Sequence, residues 1–157
     1  MSVPCHACHR QDPDCCAIQA HSPFALLGVQ PTLSLPAELL EAAFHNRIRQ
    51  IHPDAVDQGP IAQIIRPEAL NRAYQDLCAP YARALAVYER ATGQTVPTVT
   101  NDPEVLAWAL DLEDAAPEDR QKIQQGLWET LRSLEQAQNW EGFLKTLLQY
   151  RYAQEKA

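Results

Sequence analysis

Apolar residues recur every three or four positions through most of this chain, and prolines punctuate them. A short apolar turn runs from Phe24 to Val29. Pro36 then opens a segment in which Leu39, Leu40, Ala43, Phe44, Ile48 and Ile51 follow helical spacing and stop before Pro53. A second long helix is predicted to start near residue 61 or 68 and run to 78, with Leu70, Ala73, Tyr74 and Leu77 inward. Pro80 either stops it or sits in the first turn of a further helix over 80–91 that turns Leu85 and Tyr88 inward.

After a charge-free, β-branched stretch, three more start signals follow. Asn101-Asp102-Pro103 opens a helix with Val105, Leu106, Ala109 and Leu112. Pro117 with Glu118 and Asp119 opens one with Ile123, Leu127, Leu131 and Leu134, and Asn139 opens one with Phe143, Leu144, Leu147, Leu148 and Tyr150. No alternating strand pattern of useful length intervenes. The expectation is an all-α chain ending in a three-helix bundle with short, antiparallel connections. The divisions expected are 1–22, 23–92, a linker over 93–101, and 102–157.

Composition narrows the classes of function. The 157 residues are 46% hydrophobic and 21% charged, in the range of one domain or two small ones. No apolar run has the length of a membrane span, and MSVPCHACHR has no apolar stretch of the signal-peptide kind, so neither membrane insertion nor Sec export is expected. The net charge of -7 counts against a counterion-release grip on nucleic acid. Residues 91–157, with 11 acidic and 6 basic side chains, carry -5 of it. Gly28, Gly59, Gly93, Gly126 and Gly142 are isolated, which leaves no phosphate-binding loop; the chain is expected to bind no nucleotide and not to be an enzyme.

The most informative tripeptide is His52-Pro53-Asp54 at the end of the first long helix. Pro53 forbids helix continuation, so an imidazole and a carboxylate are held on a tight turn outside the core. A plain helix C-terminus would also favour Arg47, Arg49 and His52 near its last carbonyls. In the helix that begins near 103, Val105, Ala109 and Leu112 form one stripe and Leu106 and Leu110 another, too much apolar surface for a single buried face.

Taken together, a helix with basic residues near its end, His52-Pro53-Asp54, a loop, and a helix containing Asn71-Arg72-Ala73-Tyr74-Gln75-Asp76-Leu77 resembles a J domain. Phe24-Ala25-Leu26-Leu27-Gly28-Val29 resembles its short first helix. Ala79-Pro80-Tyr81-Ala82-Arg83-Ala84-Leu85 is similar to the extension of HscB-type iron-sulfur co-chaperones. The resemblance runs from Phe24 through Gly93 and, more weakly, to Tyr150.

It implies a J domain joined to a client-binding three-helix bundle, and a co-chaperone that stimulates the ATPase of a DnaK/HscA-type chaperone. His52, Pro53 and Asp54 would contact that partner, with Arg47, Arg49 and Gln50 as a positive edge. The bundle would deliver an iron-sulfur cluster scaffold of the IscU type through Leu106, Ala107, Leu110, Asp111, Asp114 and Tyr150. Two departures bear on partner choice: Ala55-Val56 stands where many relatives have a basic then an aromatic residue, and Glu38 and Glu41 interrupt the basic helix. The compartment implied is the cytoplasm, or the mitochondrial matrix in a eukaryote.

Residues 1–22 are rich in Cys, His and Asp and hold too few aliphatic side chains to build a core. Cys5-His6-Ala7-Cys8 places two thiolates at the spacing that reaches one tetrahedral zinc ion. Cys15, Cys16, His9 and His6 are candidates for the other ligands, and disordered or redox-active thiols are the alternative. Some HscB-like proteins carry two Cys-x-x-Cys knuckles here, which implies zinc on Cys5, Cys8, Cys15 and Cys16, with the second knuckle shortened. Bound metal would order so small a module. A zinc-dependent helical adaptor for nucleic acid or a transcriptional partner is the competing reading. Cys78 is expected to be a small buried apolar residue; His21 and His45 are given no role.

Overall fold

The structure is a computed structural model; it describes residues 22–52, 54 and 65–155. Within these residues the chain is helical, with no strand: α1 (Pro23–Leu27), α2 (Ala37–Ile51), α3 (Pro67–Cys78), α4 (Pro80–Thr92), α5 (Pro103–Glu113), α6 (Pro117–Gln136) and α7 (Trp140–Glu155). Prolines set five of these starts, because a residue at the first helical turn has no amide partner to lose. Pro80 thus begins a helix and does not merely stop one. The chain divides into two compact units between Ala86 and Val87, inside α4. No helix among the described residues is long and apolar enough to cross a membrane.

In the first unit, α1 and α2 both pack on α3. Ser22 caps α1, its hydroxyl accepting from the Ala25 amide, and Gly28 closes the helix in the left-handed region at φ 67°. Phe24, Leu26 and Leu27 of α1, Leu40 of α2, and Leu70, Ala73 and Leu77 of α3 form the core, joined by Leu33, Leu35, Ile65 and Ala84. The i, i+3, i+7 spacing of the three α3 residues is what one buried helix face requires. The stripe of α2 is buried less deeply than its periodicity suggests: Phe44, Ile48 and Ile51 are half-buried, and Leu39 is exposed. Phe44 instead stacks on Tyr74 of α3 with ring centroids 4.5 Å apart.

Arg83, in the first turn of α4, ties the loop before α2 into this unit. Its Nε donates to the Leu77 carbonyl at 2.6 Å, and its Nη1 lies 3.2 Å from the Leu33 carbonyl and 3.4 Å from that of Leu35. Burial lowers the pKa of this guanidinium from its usual value.

In the second unit α7 packs on both α6 and α5. It buries Phe143, Thr146, Leu147, Leu148, Tyr150 and Ala153, opposite Leu131 of α6 and Val105 and Leu112 of α5. Asp102 caps α5 through its carboxylate, which accepts from the amides of Glu104 at 2.9 Å and Val105 at 3.4 Å. Arg120 folds back to donate to the carbonyls of Ala115 and Glu113, both at 2.9 Å, which satisfies the open end of α5. The turn into α7 places Gln138 at φ 54°, and Asn139 accepts from the Gly142 amide at 3.0 Å. In the stretch 93–101, Val96 and Thr100 are buried, and the Pro97 carbonyl accepts from Arg151 at 2.9 Å.

Candidate functional site

The first surface lies at the end of α2. His52 caps this helix with φ -65° and ψ 137°, so the backbone leaves the helical path at the imidazole itself. Extended ψ is the conformation that a following proline imposes; Pro53 lies outside the described residues, as do Ala55 and Val56. Asp54 donates its backbone N–H to His52 Nδ1 at 3.2 Å, and its carboxylate oxygen lies 3.6 Å from the same nitrogen. One Nδ1 cannot accept from an amide and also carry a proton toward a carboxylate. In the amide-bonded form the neutral ring therefore carries its proton on Nε2. The side chains of His52 and Asp54 are 56% and 90% exposed, so a hydrogen-bond donor and an acceptor are held outward next to each other.

Further back on α2, Arg49 and Gln50 are exposed, and Arg47 is half-buried with its Nη1 donating to Gln50 Oε1 at 3.2 Å. Glu41 faces His45 at 3.7 Å on the preceding turn, which confines the positive edge to the last turn and a half.

The second surface lies in the other unit, on α5 and α7. Leu106 is 40% exposed and Leu110 65%, while Val105 and Leu112 are buried, so the two stripes expected on this helix separate into an inner and an outer face. Ala109, expected inward, is half-buried. Ala107, Asp111 and Asp114 are exposed.

Tyr150 sits elsewhere. It is buried, its ring 5.7 Å from that of Trp128 on α6, and burial pushes its phenol up despite a side-chain hydrogen bond with Gln124. The α7 residue beside Leu106 and Leu110 is Tyr152. With Ala109, Glu113 and Glu155 these three line a groove of about 520 Å³. Tyr152 is off the buried stripe of Phe143, Leu147, Tyr150 and Ala153, and extending that stripe along α7 was the signal available in the sequence. An ion pair between Lys145 and Glu104 also joins α7 to α5.

Among the described residues no group of three or more His, Cys, Asp or Glu side chains could hold a metal ion. Cys5, Cys8, Cys15 and Cys16, with His6 and His9, lie outside them. Cys78 is exposed, contrary to expectation: it ends α3 on the side of Tyr74, one position past the buried Leu77. Its hydrogen bond and charge push the Tyr74 phenol up.

In the first unit α1 and α2 pack on α3, with an imidazole and a carboxylate outward at the end of α2, and the second unit is a bundle of helices. No protein-family model matches the chain. Solved structures do, two of them as follows. One is the chaperone HscB from Vibrio cholerae, at 20% identity and a TM-score of 0.61, the match covering 85% of this chain and 91% of that one. The other is human co-chaperone protein HscB, at 19% identity and a TM-score of 0.64, covering 99% of this chain and 86% of that one. The chain therefore has the all-α fold of the HscB co-chaperones.

Proposed function

We propose that this protein is a co-chaperone that couples capture of an iron-sulfur cluster scaffold protein to ATP hydrolysis by a DnaK/HscA-type chaperone. The observation that carries the reading is the outward pair of His52 and Asp54 at the end of α2, on a fold shared with HscB proteins. A partner that hydrolyses ATP can be regulated by such a pair without any chemistry on this chain, because docking that favours its hydrolysis-competent state is sufficient. Arg47, Arg49 and Gln50 border the pair and steer the encounter with an acidic face, an effect that salt weakens.

The groove of the second unit is the proposed seat of the scaffold. Leu106, Leu110 and Tyr152 supply apolar area, and Asp111, Asp114, Glu113 and Glu155 make its surroundings negative, which suits an apolar segment flanked by basic residues. Tyr150, on the buried face of α7, serves here as a core residue. The same reading assigns zinc to Cys5, Cys8, Cys15 and Cys16, where thiolates of this type form a structural site, and places the protein in the cytoplasm or a mitochondrial matrix. Steady-state hydrolysis by a cognate specialised chaperone tests the reading: wild type should accelerate it and His52→Gln should not. Equal acceleration by the two proteins would remove the docking role of the bend.

A further inference from the structure

Gly28 closes α1 at φ 67°, a conformation open to glycine without steric cost. A second property of this position concerns its neighbour on α2. A Cβ at residue 28 would lie 2.9 Å from Nη2 of Arg47, 3.4 Å from its Cζ and 3.6 Å from its Nε. The first of these distances is inside van der Waals contact, so the guanidinium, the far end of a flexible side chain, would have to move from its present place if residue 28 carried a Cβ. On its other arm, Nη1 donates to Gln50 Oε1 at 3.2 Å. The head of a long, flexible side chain thus lies between the end of α1 and the last turn of α2.

We infer that Gly28 is a positioning residue for Arg47: its missing Cβ seats the guanidinium on the end of α1, at the basic border of the surface that bears His52 and Asp54. The use made of the seat rests on the proposed chaperone docking; the seat itself does not. A seated arginine has less rotamer freedom to lose when a partner arrives, and immobilising one long side chain corresponds to about 2- to 10-fold in affinity. Unseating Arg47 therefore raises the concentration of this protein needed for half-maximal stimulation by about that factor. The maximal rate stays near wild type, because His52 and Asp54 are untouched.

The test compares Gly28→Ala and Gly28→Asn, alone and combined with Arg47→Ala. Asparagine tolerates the left-handed region better than alanine and so separates backbone strain from the added Cβ. The first readout is the Arg47 Nε–Hε NMR resonance, identified by its loss in Arg47→Ala. Both Gly28 variants should move it toward the position of a solvent-exposed arginine. The second is the stimulation curve of a specialised DnaK-type chaperone, in which Gly28→Asn should shift the midpoint and add nothing further in the Arg47→Ala background. An unmoved Arg47 resonance in a folded Gly28→Asn protein overturns the inference, as does a midpoint shift that adds to that of Arg47→Ala. Absence of any stimulation by wild type would instead strike the docking reading, and the NMR comparison alone then decides the seat.

Discussion

Replacing Arg83 by methionine keeps the apolar stem of the side chain and removes every hydrogen bond that the guanidinium makes. The guanidinium reaches the Leu77 carbonyl, an open acceptor at the end of α3, and the carbonyls of Leu33 and Leu35, whose side chains are buried. Each hydrogen bond from a charged donor contributes about 1.5–3 kcal/mol net. The contact at 3.4 Å lies beyond the usual range and adds little. Two effective bonds give about 3–6 kcal/mol, against which stands about 2 kcal/mol for ordering the side chain. Arg83→Met should therefore cost about 1–4 kcal/mol. Arg83→Lys should recover less than half, since one ammonium cannot span the carbonyls that a fork spans. Urea unfolding followed by far-UV circular dichroism measures the loss. Trp108, Trp128 and Trp140 all lie in the second unit, so tryptophan fluorescence tracks that unit separately. Amide exchange over residues 24–35 should accelerate in the variant. A loss below about 0.5 kcal/mol, the scatter of an ordinary surface change, or unchanged exchange over those residues, would refute the reasoning.

Three further outcomes concern Tyr150, Gln138 and the N-terminal cysteines. The Tyr150 phenol is pushed above its usual value near 10 by burial, so above that pH the unfolded chain sheds a proton that the folded chain keeps. Stability is unaffected below it and falls with rising pH until the folded value is passed; the urea midpoint of Tyr150→Phe should fall less between pH 9 and 11 (roughly the window set by an ordinary phenol), and equal slopes would contradict the assignment. Gln138→Gly relieves a left-handed residue and should gain about 0.5–1 kcal/mol in thermal unfolding, where a loss would contradict it. Protein purified without chelator should carry about one zinc per chain, released by thiol modification; four freely reactive N-terminal thiols with no zinc would remove the proposed site.

Much of the helical order was legible because prolines and capping residues mark it. Pro103, Pro117 and Asn139 mark α5, α6 and α7 to within a residue, and the Leu70, Ala73, Leu77 face of α3 came out as its spacing predicts. What escaped depended on tertiary neighbours. Periodicity says which residues share a face and not how deeply it is covered, so Leu39 and Cys78 came out exposed. The two stripes of α5 were readable from Leu106 and Leu110, since one helix cannot bury both. The aromatic partner on α7 was missed although the buried stripe of α7 pointed to it: Tyr150 and Tyr152 stand two positions apart, and packing against Trp128 takes the first inward while the second lines the groove. Nothing local in the sequence links Arg83 to Leu33, 50 positions away.

Coupling between the two surfaces is the centre of the account, and one assay addresses both. Hydrolysis by the cognate chaperone is measured while an iron-sulfur scaffold protein is titrated against wild type, His52→Gln, and Leu106→Ala combined with Leu110→Ala. Wild type should accelerate hydrolysis and the scaffold should add to it. His52→Gln should lose both parts, while the double leucine variant should keep its own stimulation and require about tenfold or more scaffold for the increment, as loss of two apolar anchors implies. A scaffold response that is identical in all three proteins would contradict the coupling.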